Sequence, residues 1–290
     1  MNGRTVAKTP ARLYPALCLL LPGLIHADGG EEIEPVHWAY SSFFGTGWYR
    51  VDENRSVFVF RVSPRQSIRN SSEDEGYRKP GIEIRYPLTL GLHKLDFEDL
   101  PGNLYPSNFG TASFTPELEL EIPITRRLYL RPSVSVGGGI EIETRETAWI
   151  WEAGIKGRYS LSAGRIEWSL LAGLEVAGHD ADGANADSIS SVLLGIEARQ
   201  PLRREFWGQA WDLHWHAGYT FLDRELRFDT GDGSFQSIDD IFALELAFSP
   251  RGRPFRFWRW TPERLGVGIK FSPEGDFAAI TLTSRSWFSK

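Results

Sequence analysis

Gly81-Ile-Glu-Ile-Arg-Tyr-Pro-Leu-Thr-Leu-Gly-Leu-His93 is the stretch that decides the fold class. One parity holds Ile82, Ile84, Tyr86, Leu88, Leu90 and Leu92; the other holds Glu83, Arg85, Pro87, Thr89, Gly91 and His93. Successive side chains of an extended backbone point to opposite faces, so the stretch predicts a strand with one apolar and one polar face. It is far longer than the ~5–6 residues of an average strand in a soluble domain.

The same period recurs along the chain. Leu118, Leu120, Ile122 and Ile124 alternate with Glu117, Glu119 and Glu121, and Leu128, Leu130, Val134 and Val136 with Tyr129, Arg131, Ser133 and Ser135. Trp149, Trp151, Ala153, Ile155 and Tyr159 alternate with Glu152, Gly154, Lys156 and Arg158. Ile166, Trp168, Leu170, Ala172, Leu174 and Val176 are interleaved with Glu167, Ser169, Gly173 and Glu175. Trp211, Leu213, Trp215, Ala217, Tyr219 and Phe221 are interleaved with Asp212, His214, His216, Gly218 and Thr220. Shorter runs cover 192–199, 242–248 and 265–271, and no comparable stretch carries a 3.6-residue period. Adding less regular strands near 37–50 and 55–63 and a last one at 277–288 gives about twelve, joined by Gly, Pro, Asp, Asn and Ser.

Parity alone does not say which face is inside, and a soluble secreted β protein is the competing reading. Three features favour a membrane barrel. The strands are long enough to meet the ~9–11 residues a tilted crossing requires. Aromatics (Trp149, Trp151, Tyr159, Trp211, Tyr219, Phe221) lie near expected strand ends, where interfacial girdles form. The polar parity mixes small residues with Glu, Arg and Lys, as a polar interior does. Hydrocarbon leaves no unpaired backbone group satisfied, so the sheet must close, and an even strand number returns both ends to one side. The predicted fold is an all-β, transmembrane, antiparallel up-and-down β-barrel.

The polar parity supplies the lumen-facing candidates Glu83, Arg85, Glu119, Arg131, Glu152, Lys156, Arg158, Glu167, Glu175, Asp212, His214, His216 and Lys270. They read either as the charged wall of a cation-preferring pore or as an interior cross-braced by ion pairs, and the braced form is favoured. His214 and His216 share a face and suit a metal or acid–base pair, but no third ligand can be assigned, so they are read as polar lumen residues and neither a metal nor a cofactor is expected. An outer-membrane lipid hydrolase, of phospholipase or lipid A deacylase type, is the alternative function. His93 with Asp96, Glu98 and Asp99 is the other cluster considered for it, and no catalytic residue is assigned. The stretch 179–188 has oxygen ligands at alternate positions, yet its glycine is misplaced and no Glu closes the sphere, so a solvated acidic loop is expected.

Residues 1–27 read as a cleaved secretory signal peptide. Arg4, Lys8 and Arg12 precede a short apolar core, and an acidic stretch follows Ala27, which places cleavage between Ala27 and Asp28. Residues 28–290 would then form the barrel domain, without cysteine because Cys18 leaves with the leader. The formal charge changes from 32 − 38 = −6 to 29 − 38 = −9, which disfavours nucleic acid as a partner. No apolar run reaches the ~18 residues of a membrane-spanning helix.

Phe277-Ala-Ala-Ile-Thr-Leu-Thr-Ser-Arg-Ser-Trp-Phe288 resembles the terminal β-signal of Gram-negative outer-membrane proteins, which makes Trp287 and Phe288 the expected assembly signal. Together with Ser42-Phe-Phe-Gly-Thr-Gly-Trp-Tyr-Arg50 and Arg264-Leu-Gly-Val-Gly-Ile-Lys-Phe-Ser272, it makes the chain similar to solitary autotransporter-type barrels, which lack a passenger domain. That resemblance implies an outer-membrane location and little about activity. The expected role is non-enzymatic: structural, narrow-channel or surface-interaction. The expected partners are outer-membrane lipid, lipopolysaccharide and, during biogenesis, the outer-membrane assembly machinery.

Overall fold

The computed structural model describes residues 45–285 apart from 53–54, 75–76, 94–108, 143–144, 182–185, 230–234, 252–261 and 274–276. The expected leader with Cys18 and its expected cleavage site between Ala27 and Asp28, the cluster Asp96, Glu98 and Asp99, and the terminal Trp287 and Phe288 lie outside the described residues.

The elements are β1 (Gly47–Asp52), β2 (Arg55–Val62), β3 (Arg65–Arg69), β4 (Ser72–Asp74), β5 (Tyr77–Lys79), β6 (Gly81–Arg85), β7 (Leu88–His93), β8 (Phe109–Phe114) and β9 (Glu117–Pro123). They continue with β10 (Leu128–Glu141), β11 (Thr147–Ala163), β12 (Ile166–Ala181), β13 (Asp187–Pro201), β14 (Trp211–Asp229), β15 (Phe235–Pro250), β16 (Leu265–Phe271) and β17 (Ala278–Thr283). No helix occurs among the described residues.

Pairing runs from β10 through β11 to β17, on to β1, β2, β7 and β8, and back to β10, always antiparallel. The ring closes with twelve members. Segments β3, β6 and β9 are the other halves of the strands holding β2, β7 and β8, and they continue the same wall by pairing β3–β6, β6–β9 and β9–β10. β4 and β5 form a separate small hairpin. Closure through β17 and β1, in register from Gly47–Thr281 to Arg50–Ala278, leaves neither of them an open edge.

The thirteen-residue alternation at 81–93 is divided in two at Pro87. Proline has no N–H for the ladder, and Pro64 and Pro116 divide the neighbouring strands in the same way. The wall stays connected across the breaks. Tyr86 N–H donates to the Pro64 carbonyl at 2.9 Å, Thr115 N–H to Pro87 at 3.2 Å and Val136 N–H to Pro116 at 3.2 Å. Gly137 completes this line of breaks, because a Cβ there would lie 1.9 Å from the Phe114 carbonyl oxygen. Alternation passes through each break unchanged, which is why the parity of 81–93 reads as that of one strand.

The exterior is apolar and the interior polar. Val134, Leu174, Leu194, Val267 and Ile280 are each more than half exposed on the outer wall, whereas Glu119, Arg131, Glu197 and Asp212 on the inner wall are at most 6% exposed. That is the reverse of a water-soluble barrel.

Consecutive strands run in opposite directions, so turns 124–127, 164–165 and 202–210 share one end of the ring, here the turn end, and Phe277 lies at the other. The charged inner residues gather toward the turn end. Toward the opposite end, Tyr49, Val59, Ile189, Leu222, Ile238, Ile241, Phe277 and Ala279 pack into one buried apolar cluster, and Ala148, Ile150 and Ala181 form a smaller one. These apolar side chains stand on the inward, otherwise polar parity and fill the interior at that end.

Other boundaries also differ from the sequence reading. The first described strand begins at Gly47, and 37–44 lie outside the described residues. β14 extends beyond Phe221 to Asp229, so Tyr219 and Phe221 stand within the strand, away from its end. His179 to Ala181 close β12 and Asp187 opens β13, so both ends of the expected acidic loop belong to strands, and 182–185 lie outside the described residues.

Candidate functional site

The inner wall near the turn end carries three groups of charges. In the first, Arg85 of β6 reaches Glu83 at 2.8 Å and Glu117 at 3.1 Å and contacts Glu119. Arg131 of β10 lies 3.5 Å from Glu119 and contacts Glu121. Arg285, just past β17, crosses to Glu83 at 3.0 Å and to Glu263 at 3.7 Å, while Arg65 contacts Glu263. Residues of β3, β6, β9, β10 and both flanks of the last hairpin are thereby tied across the interior.

In the second group, Arg264, only 2% exposed, holds Glu197 of β13 at 2.9 Å and Glu245 of β15 at 2.7 Å. Glu245 also accepts from the Thr283 hydroxyl at 2.6 Å. Asp212 is bound by Arg199 at 2.6 Å and by Arg251, and Arg199 reaches Glu167, the more exposed end of this group, at 3.3 Å. Arg158 donates to the Ser169 hydroxyl at 3.0 Å.

The third group lies nearer mid-wall. Lys156 contacts Glu175, and Glu152 is on the same face of β11 as Lys156. Lys270 of β16 is half-buried between Ala243 and Ala279 of the flanking strands. Desolvating a charge is tolerable where it meets an opposite one, a condition that Arg85, Arg131, Lys156, Arg199 and Arg264 fulfil.

His216 is 6% exposed and His214 is half-buried on the same face. His214 Nε2 lies 2.8 Å from Ser249 Oγ, a contact that sequence reading did not assign. A catalytic triad would require a carboxylate on His214 Nδ1, but that atom has no hydrogen-bond partner and the Asp212 oxygens are engaged by Arg199 and Arg251. Among the described residues no group of three or more His, Cys, Asp or Glu is arranged to hold a metal ion.

Sequence reading missed Arg264, Arg285, Arg65, Arg251 and Glu263. For the first two a signal existed: Arg264 continues the parity of Gly266, Gly268 and Lys270, and Arg285 that of Ala279, Thr281 and Thr283. Arg65 likewise continues the inward parity of Val57, Val59 and Arg61 once Pro64 is recognised as a break within the strand. Glu263 has no such signal.

No family model and no curated protein matches the chain. Among solved structures, the barrel is similar to the siderophore receptor PirA from Pseudomonas aeruginosa, at 10% sequence identity and a TM-score of 0.32. The match covers 81% of this chain and 39% of the receptor, so this chain spans well under half of that protein's length.

Proposed function

We propose that the chain is an integral outer-membrane β-barrel similar to solitary autotransporter-type barrels, exported by a cleaved leader, with a non-enzymatic role as a rigid membrane-spanning scaffold. The observation that carries this reading is the inverted polarity: contiguous rows of half-exposed Leu, Val and Ile outside and paired charges inside. An apolar belt of that extent has no stable place in water, and a closed sheet is the β architecture hydrocarbon accepts. The arginine cross-braces and the apolar interior cluster favour a closed interior over an open pore. Outer-membrane lipid and lipopolysaccharide would surround the barrel, and the assembly machinery would insert it.

Refolding into lipid vesicles followed by planar-bilayer recording tests this. The barrel should give a compact, heat-modifiable gel band and no stepwise conductance above the bare membrane. Large ohmic steps would contradict the braced interior, and failure to give the compact band in any lipid would contradict the membrane reading itself.

A further inference from the structure

The outer wall carries an indentation with an unusual rim. A groove of about 490 Å³ runs over β12 to β17, with Trp168 and Trp215 among its walls and Ala198 and Ala217 at its base. Ala198 points outward yet is 4% exposed, because the larger neighbours overhang it. Ala198 and Trp215 are register partners three rungs from Pro201–Asp212, where the turn 202–210 begins. At ~3.3 Å per residue the groove therefore opens about 10 Å from that turn.

The turn is built and fixed. Leu202 N–H donates to the Trp211 carbonyl at 2.9 Å, Phe206 and Gln209 exchange backbone hydrogen bonds at 3.0 and 3.1 Å, and the Trp211 indole donates to the Phe206 carbonyl at 2.9 Å. Trp207 is held at φ 53°, a left-handed conformation costly for a bulky residue, and is 88% exposed with its ring edge-on to Trp211. The chain thus fixes a large aromatic at the rim of an apolar wall, where amphipathic rings settle at a membrane–water boundary. Beside it Arg203 and Arg204 are exposed, accompanied by one carboxylate, Glu205. Arg165, also exposed, stands in the adjacent turn leading into Trp168's strand.

We propose that this groove and turn bind an anionic glycerophospholipid, one acyl chain lying over Ala198 and Ala217 and the phosphate resting on Arg203 and Arg204. The inference rests on the membrane reading above. Arginine forks match phosphate oxygens, and the separation of charged turn from apolar groove matches that of headgroup from chain. A phospholipid is the occupant because, in the proposed barrel, the end holding turns 124–127, 164–165 and 202–210 is that of the chain termini and faces the periplasmic, phospholipid leaflet.

The test uses the refolded full barrel in vesicles of equal palmitoyl-oleoyl phosphatidylglycerol and phosphatidylcholine, extracted into mild detergent, with retained lipid counted by native mass spectrometry. Phosphatidylglycerol should be retained about tenfold over phosphatidylcholine, below the roughly thirtyfold of two unopposed arginines because Glu205 offsets part of their charge. Arg203→Gln/Arg204→Gln should abolish that preference, and Ala198→Phe, which fills the groove, should lower retention of both lipids. Arg126→Gln/Arg127→Gln removes as much charge from another turn at the same end and should change nothing. Equal retention of the two lipids, or equal losses in both arginine pairs, would overturn the site while the heat-modifiable band still reported a membrane barrel. Loss of that band in the unsubstituted protein would bring down the membrane reading and the site together.

Discussion

Single residues carry unusual weight here because charges are buried. Arg264 is the clearest case, since its guanidinium neutralises Glu197 and Glu245 at once. Arg264→Met would leave two carboxylates without it, and removing one partner of a buried pair costs about 3–5 kcal/mol. Denaturant titration of the vesicle-inserted barrel should show a loss of that order. Adding Glu197→Gln and Glu245→Gln should recover part of it, because the uncompensated charges disappear. On the outer wall the logic reverses. Leu170 is 47% exposed and faces outward from β12, the fifth residue from the turn end of that strand. Leu170→Arg should cost about 2–4 kcal/mol if that position meets the bilayer midplane. Glu167→Gln, at the more exposed end of its ion-pair chain, should cost much less in the same titration. Equal costs, or the reverse order, would mean that the wall has been assigned the wrong way round.

At the scale of elements, β17 is decisive because it pairs with β16 on one side and β1 on the other. In the proposed membrane setting, ending the chain before Phe277 would expose two ladders of backbone groups to hydrocarbon and remove two members of the interior apolar cluster, Phe277 and Ala279. Such a truncation should yield no compact, heat-sensitive band on a gel, whereas removing Ser289 and Lys290 alone should leave the band intact. Much of this element structure was legible in sequence, since a two-residue period survives breaks, bulges and changes of partner. That is why 166–176 and 211–221 read correctly as strands, although β14 continues past Phe221 to Asp229. The proline breaks were visible as Pro64, Pro87 and Pro116, but their alignment depends on register, which no single strand encodes. The interior apolar cluster was not legible for a related reason. Ile189, Leu222 and Ile238 lie on the inward face, and an isolated apolar residue in a polar parity looks like noise until its neighbours across the ring are known. Charges just outside strands, such as Glu263, were likewise out of reach of a pattern defined within strands.

At the scale of the molecule, the interior is layered: paired charges toward the turn end, apolar packing toward the other. The exterior is continuous and apolar between them. We propose that this exterior faces lipid. The predicted mature protein contains no cysteine, so single cysteines can be placed along β12 at Ser169, Leu170, Leu171, Ala172, Gly173 and Leu174, spin-labelled and inserted into vesicles. Collision with oxygen, which concentrates in hydrocarbon, should be high at Leu170, Ala172 and Leu174 and low at Ser169, Leu171 and Gly173, repeating every second residue. Alternation in the opposite phase, or water-soluble quencher reaching the Leu170, Ala172 and Leu174 positions best, would contradict it.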